Sequence, residues 1–155
     1  MNKPLQDIDF LRWTIAQAAA LRRTGAVRTN TPDPIDWEDV AEEIEALGRS
    51  ERAALRSRIA VIVEHLSKLA LSPAGPPRED WFDTLDTQRR ELRHVLADSS
   101  SLKPEVPALV AAANGATRSQ IARAAARRKK TLTADPASLE FSAEQVLDED
   151  YPSAP

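Results

Sequence analysis

A dense group of carboxylates is the first feature of this sequence that could do chemistry. In the run DWEDVAEEIEALGRSER, seven acidic residues lie between Asp36 and Glu51, against one basic residue, Arg49. Converging carboxylates can bind a metal ion or exchange protons. On a wheel of 100° per residue, however, these acids point largely away from the apolar arc of their helix. We therefore predict a solvated helix face and not a catalytic or metal-binding cluster.

A second polar set lies along the edge of that apolar arc. Glu51, Arg58 and His65 are spaced by seven, so they form one line on the same helix. On the next helix, Gln88 and Arg89 lie among the residues of the predicted buried face. Together the five residues predict an internal polar cluster where the two helices pack. It is either a partly buried ion-pair network that sets the helix register, which we favour, or a small-molecule or metal site.

Other catalytic and metal-binding patterns are incomplete. Glu91 and His94 have the Glu-x-x-His spacing of di-iron carboxylate proteins, but Ile62 stands where the second motif needs a glutamate before His65. Two histidines and no cysteine exclude three-histidine and thiolate-ligated metal sites. Neither the G-x-S-x-G elbow nor a glycine-rich phosphate loop occurs. The sequence thus indicates no catalytic residue, metal or cofactor, and it favours a protein that is not an enzyme.

The run RSQIARAAARRKK is the best lead for nucleic-acid binding, because basic side chains can neutralise phosphates. It contains no aromatic side chain for stacking bases. The residues from Asp135 to Asp150 include six acids and no base, which can neutralise it internally. We predict a solvated or internally paired basic surface, with an acidic protein partner and nucleic acid as less favoured alternatives. Its members are Arg118, Arg123, Arg127, Arg128, Lys129 and Lys130.

The elements that position these residues are helices. Aromatic residues are scarce at 5%, only four glycines occur, and alanine is abundant, which favours helix. Apolar spacing and turn residues predict helices at about 7–23, 36–71, 78–98 and 104–133, with a short terminal helix opened by a Ser142–Gln145 capping box. Gly25 is expected to end the first helix, whereas Gly48 and Asn114 mark possible interruptions of the second and fourth. We find no strand pattern.

These elements predict an all-α fold: a single helical domain over residues 1–155, built as an antiparallel bundle of four main helices around one long central helix. The second and third helices should pack antiparallel across the SPAGPP turn. The first helix and the terminal segment should cover the end near Trp37. The long helix, where uncovered, offers a dimerisation surface, and the face around Ala113, Thr117 and Ala124 allows close approach of another helix. The apolar arc of the long helix begins with Trp37, Val40, Ala41, Ile44 and Leu47.

Length and composition agree with a soluble protein. A chain of 155 residues, 42% hydrophobic and 29% charged with a net charge of −3, fits one globular domain. The longest strongly apolar run, IAVIV, is too short to span a bilayer, and the first residues lack the apolar segment of a signal peptide. We expect a cytoplasmic protein without a membrane association.

Several runs of residues are similar, in this order, to a known family. They are DFLRWTIAQAAALRRTG, DWEDVAEEIEALGRSER, EHLSKLAL, TQRRELRHVLADSSSLKP and FSAEQVLDEDYP. The sequence resembles the bacterial family called domain of unknown function 29 over nearly its whole length. Residues 117–137 depart from it, being more basic and alanine-rich. The resemblance implies an all-helical bacterial protein and supplies no activity or site residue.

Two classes of function follow. The favoured one is a non-catalytic protein-interaction or regulatory module that acts through helix faces, on a protein partner or on a second copy. The alternative is an enzyme or small-ligand-binding protein that uses the polar cluster of Glu51, Arg58, His65, Gln88 and Arg89. A weaker alternative is nucleic-acid binding through the basic fourth helix.

Overall fold

A computed structural model describes residues 3–27, 35–71, 78–128 and 135–152. Within these residues the chain forms α1 (Leu5–Ile8), α2 (Phe10–Val27), α3 (Trp37–Leu71), α4 (Arg78–Asp98), α5 (Val106–Arg128) and α6 (Ala143–Leu147). Short 3-10 helices, Ser100–Glu105 and Pro136–Ser138, precede α5 and α6. No strand occurs in this part of the chain, so the predicted all-α class with one long helix is confirmed. None of the helices described has the length and apolarity needed to cross a membrane.

The helices group into two compact units. One consists of Met1–Leu55 with His94–Lys103, and the other of Arg56–Arg93 with Pro104–Pro155. The boundaries between the units fall within the residues of α3 and of α4. That the whole chain forms one domain stays a prediction.

In the first unit, two glycines let α2 and α3 approach closely. A Cβ atom on Gly25 would lie 2.7 Å from Cβ of Trp37, and one on Gly48 would lie 2.5 Å from Oγ1 of Thr14. The prediction that Gly25 ends the helix is wrong, since α2 continues to Val27, and Gly48 does not break α3. Both glycines are explained by packing, because any side chain there would occupy the space of the neighbouring helix.

Replacing Gly48 with alanine is therefore expected to lower the free energy of unfolding by about 1–3 kcal/mol, the usual cost of overpacking. Gly115 of α5 is the matched control, because a Cβ atom there would meet nothing within 4 Å. Gly115→Ala should stabilise the protein by up to about 1 kcal/mol, since alanine favours helix. Chemical denaturation of both variants measures the two effects, and similar shifts in the same direction would contradict the packing argument.

A buried carboxylate ties the start of α2 to the turn before α5, also in the first unit. Asp9 separates α1 from α2 and accepts a hydrogen bond from the backbone N–H of Arg12 at 3.0 Å, as a helix N-cap does. It also accepts bonds from the N–H of Ser101 at 2.7 Å and from the hydroxyls of Ser100 and Ser101 at 3.1 and 2.9 Å. The hydroxyl oxygen of Ser99 accepts the N–H of Leu11. Sequence reasoning did not find this cluster.

In the second unit, α3 and α4 pack antiparallel, as expected. Nη1 of Arg78, at the start of α4, donates to the carbonyl of Leu69 near the end of α3. The core between them is aliphatic and includes Ile59, Ile62, Val63, Leu66, Leu85 and Leu92. Trp81 and Phe82, near the start of α4, are half-buried. The guanidinium of Arg78 lies over the ring of Phe82, 5.8 Å from its centroid.

The chain after α5 packs against α5 and α4 within the second unit. The side-chain amide of Asn114 donates to the carbonyl of Phe141 at 2.8 Å and accepts its N–H at 3.1 Å. Asn114 therefore does not interrupt α5, which continues past it to Arg128. The capping box of Ser142 and Gln145 is confirmed at the start of α6. The hydrogen bonds described for this terminal segment are to α4 and α5. The sequence, in contrast, predicts that the segment covers the end near Trp37.

The alanine-rich face of α5 is used inside the chain. Ala113 and Thr117 are buried, and Ala124 is half-buried. The prediction that this face is open to a second copy is therefore wrong for its first two residues. The predicted start near Pro104 falls in the 3-10 helix before α5, and the predicted end near Thr133 lies outside the described residues.

Candidate interaction surface

The structure brings together only part of the predicted polar cluster. In the second unit, Nη1 of Arg58 donates to Oε1 of Gln88 at 3.4 Å, and Nη2 lies 3.4 Å from Oε2 of Glu91. Glu91, the glutamate of the Glu-x-x-His spacing with His94, thus pairs across the helices. Nε of Arg58 is buried and has no hydrogen-bond partner among the described atoms. The arrangement is an ion pair with a hydrogen bond beside it, which fits the favoured register-setting interpretation.

The other two members in this unit bond to backbone carbonyls. Nδ1 of His65 lies 2.9 Å from the carbonyl oxygen of Val61 in its own helix. Arg89 is only 2% exposed, and its Nε and Nη2 donate to the carbonyls of Val146 and Gln145 at 3.0 and 2.9 Å. Because these carbonyls lie in the last turn of α6, Arg89 acts as a cation that caps a helix C-terminus.

The charge of Arg89 is held in a buried position. Burial lowers the pKa of its guanidinium, and the negative charges of Asp148, Asp86 and Glu149 oppose that change. The carbonyl bonds and these acids together compensate for the lost hydration of the cation. A structural role in docking α6 accounts for its burial.

Glu51, the fifth member, belongs to the first unit. Burial and the nearby carboxylate of Asp98 raise the pKa of Glu51. Two carboxylates in proximity could suggest a cation site, but no group of three metal-binding side chains occurs among the described residues. Asp98 is the last residue of α4. The end of α4 thus brings a second carboxylate near Glu51.

The predicted basic surface is described only in part. Nη1 of Arg118 donates to the carbonyl of Leu139 at 3.4 Å and lies 3.6 Å from the carboxylate of Glu140, so this residue is paired internally. Nε of Arg123 donates to the carbonyl of Ser119, one turn earlier in α5. Arg127 is exposed. The side chain of Arg128 and all of Lys129 and Lys130 lie outside the described residues.

The acidic run at the start of α3 is a solvated face, as predicted. Asp36 accepts the N–H groups of Glu38 and Asp39 at 3.1 Å, so it is the N-cap of α3. On one flank, Arg22 of α2 binds Glu38 at 2.8 Å and Glu45 at 2.5 Å. The remaining acids of the first two turns, Asp39, Glu42 and Glu43, are exposed.

The opposite flank of α3 carries an uncovered apolar stripe, made by Val40, Ile44 and Leu47. Val40 is 40% and Leu47 50% exposed, and Ile44 is half-buried. The prediction that Val40 and Leu47 belong to the core arc is therefore wrong. The stripe continues the line of Glu51, and it lies beyond the point where α4 ends. There the chain turns at Ser99 toward Asp9, and Val40 and Leu47 are left exposed to solvent.

Comparison with known protein families identifies the family of this chain. A family model described as "Domain of unknown function DUF29" matches residues 5–152. The chain belongs to the DUF29 family. The resemblance inferred from the sequence is thereby confirmed, and the match includes α1 to α6, with both the apolar stripe and the terminal segment that Arg89 holds.

A solved structure has the same fold as this DUF29 protein. It is the crystal structure of an alpha-helical protein of unknown function from Rhodospirillum rubrum, with a TM-score of 0.73 and 24% sequence identity. The similarity covers 97% of this chain and 93% of the other. At that identity the likeness establishes the fold alone. No curated protein is significantly similar to the chain.

Proposed function

We propose that this DUF29 protein is a non-catalytic protein-interaction module that acts through the apolar stripe of α3. The observation that carries the proposal is the exposure of Val40 and Leu47 on either side of Ile44, on a helix face that α4 has stopped covering. Exposed apolar side chains at helical spacing gain free energy when a partner covers them, about 25 cal/mol per Å². Helices commonly bind in this way, through anchors at positions i, i+4 and i+7.

The proposal predicts that Leu47→Lys abolishes partner binding while the fold is retained. Tagged full-length protein would be purified from its native host after nuclease treatment, and bound proteins quantified by mass spectrometry. Ile15→Lys is the control, since Ile15 is 54% exposed and lies seven residues before Arg22, on the flank that faces away from the stripe. We expect a stoichiometric partner to be lost with Leu47→Lys and kept with Ile15→Lys. A partner retained by both variants would contradict the proposal.

A ligand-binding protein built on the polar cluster is the less supported alternative. The unpartnered Nε of Arg58 favours it. Against it, His65 and Arg89 direct their hydrogen bonds to backbone carbonyls of α3 and α6. Nucleic-acid binding through α5 is weaker still, because Arg118 is paired with Glu140. It predicts retention on heparin that falls steeply with salt.

A further inference from the structure

We propose that the partner presents an amphipathic helix with basic flanks, which docks on the stripe of Val40, Ile44 and Leu47. This inference rests on the proposed function and names the chemistry of the partner. Three features of the first unit support it: the spacing of the stripe, the charge beside it, and the buried residues along its other edge.

The spacing of the stripe is that of a coiled-coil seam. Val40, Ile44, Leu47 and Glu51 are separated by four, three and four residues, which is the alternation of d and a positions in a heptad repeat. The uncovered part, from Val40 to Leu47, is roughly 11 Å long, about two turns.

The flanks of the stripe differ in character. On one side, Ala41 and Gly48 are buried, and Gly48 packs against Thr14 of α2, so α2 closes this edge of the stripe. On the other side lies Glu43, which is exposed, and the partly buried carboxylate of Glu51 ends the stripe. A helix lying on the stripe therefore brings its own flanking positions next to carboxylates. Lysine or arginine at those positions would pair with them.

The negative charge beside the stripe also disfavours a second copy of the chain as the partner that covers it. Two stripes packed antiparallel about Ile44 would place Glu43 of each copy beside Glu43 of the other. Glu43 is exposed and borders the stripe in each copy, so the contact would bring like charges together. The chain's own basic helix is a poor substitute, because α5 offers mainly alanine between its arginines from Arg118 to Arg127. A basic amphipathic helix from another protein would supply both the apolar side chains that cover the stripe and the cations that pair with Glu43 and Glu51.

The inference is tested with synthetic peptides and the full-length protein. The probe is a fluorescent 21-residue helical peptide with leucine at the a and d positions and lysine at the flanking positions. The control peptide is identical except that it carries glutamate at the flanking positions. We expect the lysine peptide to bind at least about tenfold more tightly in low salt. Leu47→Lys and Val40→Lys should each weaken its binding at least about tenfold, and Ile15→Lys less than about twofold. Thermal unfolding verifies that each variant is folded.

Two neighbouring acids give a control for charge alone. Glu43 borders the stripe, whereas Glu42 is also exposed but points to the opposite side of α3. Both Glu43→Lys and Glu42→Lys change the net charge by the same amount. We expect Glu43→Lys to weaken binding of the lysine peptide by about threefold or more and to strengthen binding of the glutamate peptide. Glu42→Lys should bind both peptides with an affinity close to that of the wild type. Equal effects of the two substitutions would overturn the inference.

The remaining outcomes separate this inference from the proposed function. Equal affinity for the two peptides, or self-association that Leu47→Lys abolishes without any peptide binding, overturns the basic-helix partner and leaves an interaction module in place. A native partner that is captured regardless of Leu47→Lys overturns the proposed function itself. Binding of the lysine peptide that Ile15→Lys weakens as much as Leu47→Lys does also overturns the inference, because the peptide would then be recognising net charge.

Discussion

Replacing Asp9 with alanine is expected to lower the free energy of unfolding by about 3 kcal/mol, since a buried carboxylate with several hydrogen bonds is lost. The N–H of Arg12 and the N–H and hydroxyl of Ser101 would lose their acceptor, together with the hydroxyl of Ser100. The start of α2 and the turn before α5 would be loosened together. Urea denaturation measures the loss.

The control for this variant is Asp7→Ala. Asp7 belongs to α1 and is exposed, so its replacement should change stability by less than about 0.5 kcal/mol. Equal effects of the two substitutions would mean that the carboxylate of Asp9 is not the group that joins the segments. Asp9→Asn, which keeps the shape but not the charge, is expected to fall between wild type and Asp9→Ala.

The contribution of Asp9 should depend on pH. Burial would raise the pKa of its carboxyl, but the bonds from Arg12, Ser101 and Ser100 outweigh it, so the pKa is lowered. A group with a lowered pKa contributes fully above the ordinary aspartate value, about 3.9, and loses this contribution as the pH falls through the folded value. The stability difference between wild type and Asp9→Asn should therefore be constant near neutral pH and shrink below about pH 4. A difference that grows toward acid pH would contradict this assignment.

Arg89→Ala is expected to cost about 3 kcal/mol and to release the terminal segment. The carbonyls of Gln145 and Val146 would lose their donors, and the volume of a buried side chain would be left empty. Lysine at this position has no planar fork of donors, so Arg89→Lys should recover only part of the loss. Denaturation measures the stability, and limited proteolysis within residues 135–152 reports release of the segment.

Arg90→Ala serves as the control because Arg90 is the exposed neighbour of Arg89 on α4. It should leave the free energy of unfolding unchanged within about 0.5 kcal/mol. The rate of proteolysis within residues 135–152 should also stay that of the wild type. Faster cleavage without a loss of global stability would show that α6 detaches independently. Unchanged cleavage in Arg89→Ala would mean that the apolar contacts of Val146 hold the segment without the guanidinium.

Most helices of the fold are predictable because their signals are local. Asp36 and Ser142 are N-caps by residue type and spacing, and both cap helices in the structure. The prediction for Gly25 is wrong because a glycine after an apolar run suits a helix end as well as a close helix contact. Only the position of Trp37, in another helix, distinguishes the two.

The candidate site depended on information that a helical wheel does not contain. The wheel identifies Val40, Ile44 and Leu47 as one apolar face, but it does not show where the neighbouring helix stops. The exposure of Val40 and Leu47 follows from the end of α4 at Asp98, opposite Glu51. The bonds between Asp9 and Ser101 join residues 92 positions apart, and no spacing rule connects them.

The interleaving of the two units has a consequence for how the protein is made. The first unit needs His94–Lys103, which the ribosome adds only after most of the second unit's α3 and α4. At about 5–20 residues per second, α2 must wait several seconds for Ser101, the residue that completes the bonds of Asp9. Neither unit corresponds to one uninterrupted stretch of gene. Exchange of one contiguous gene segment therefore cannot transfer either unit intact.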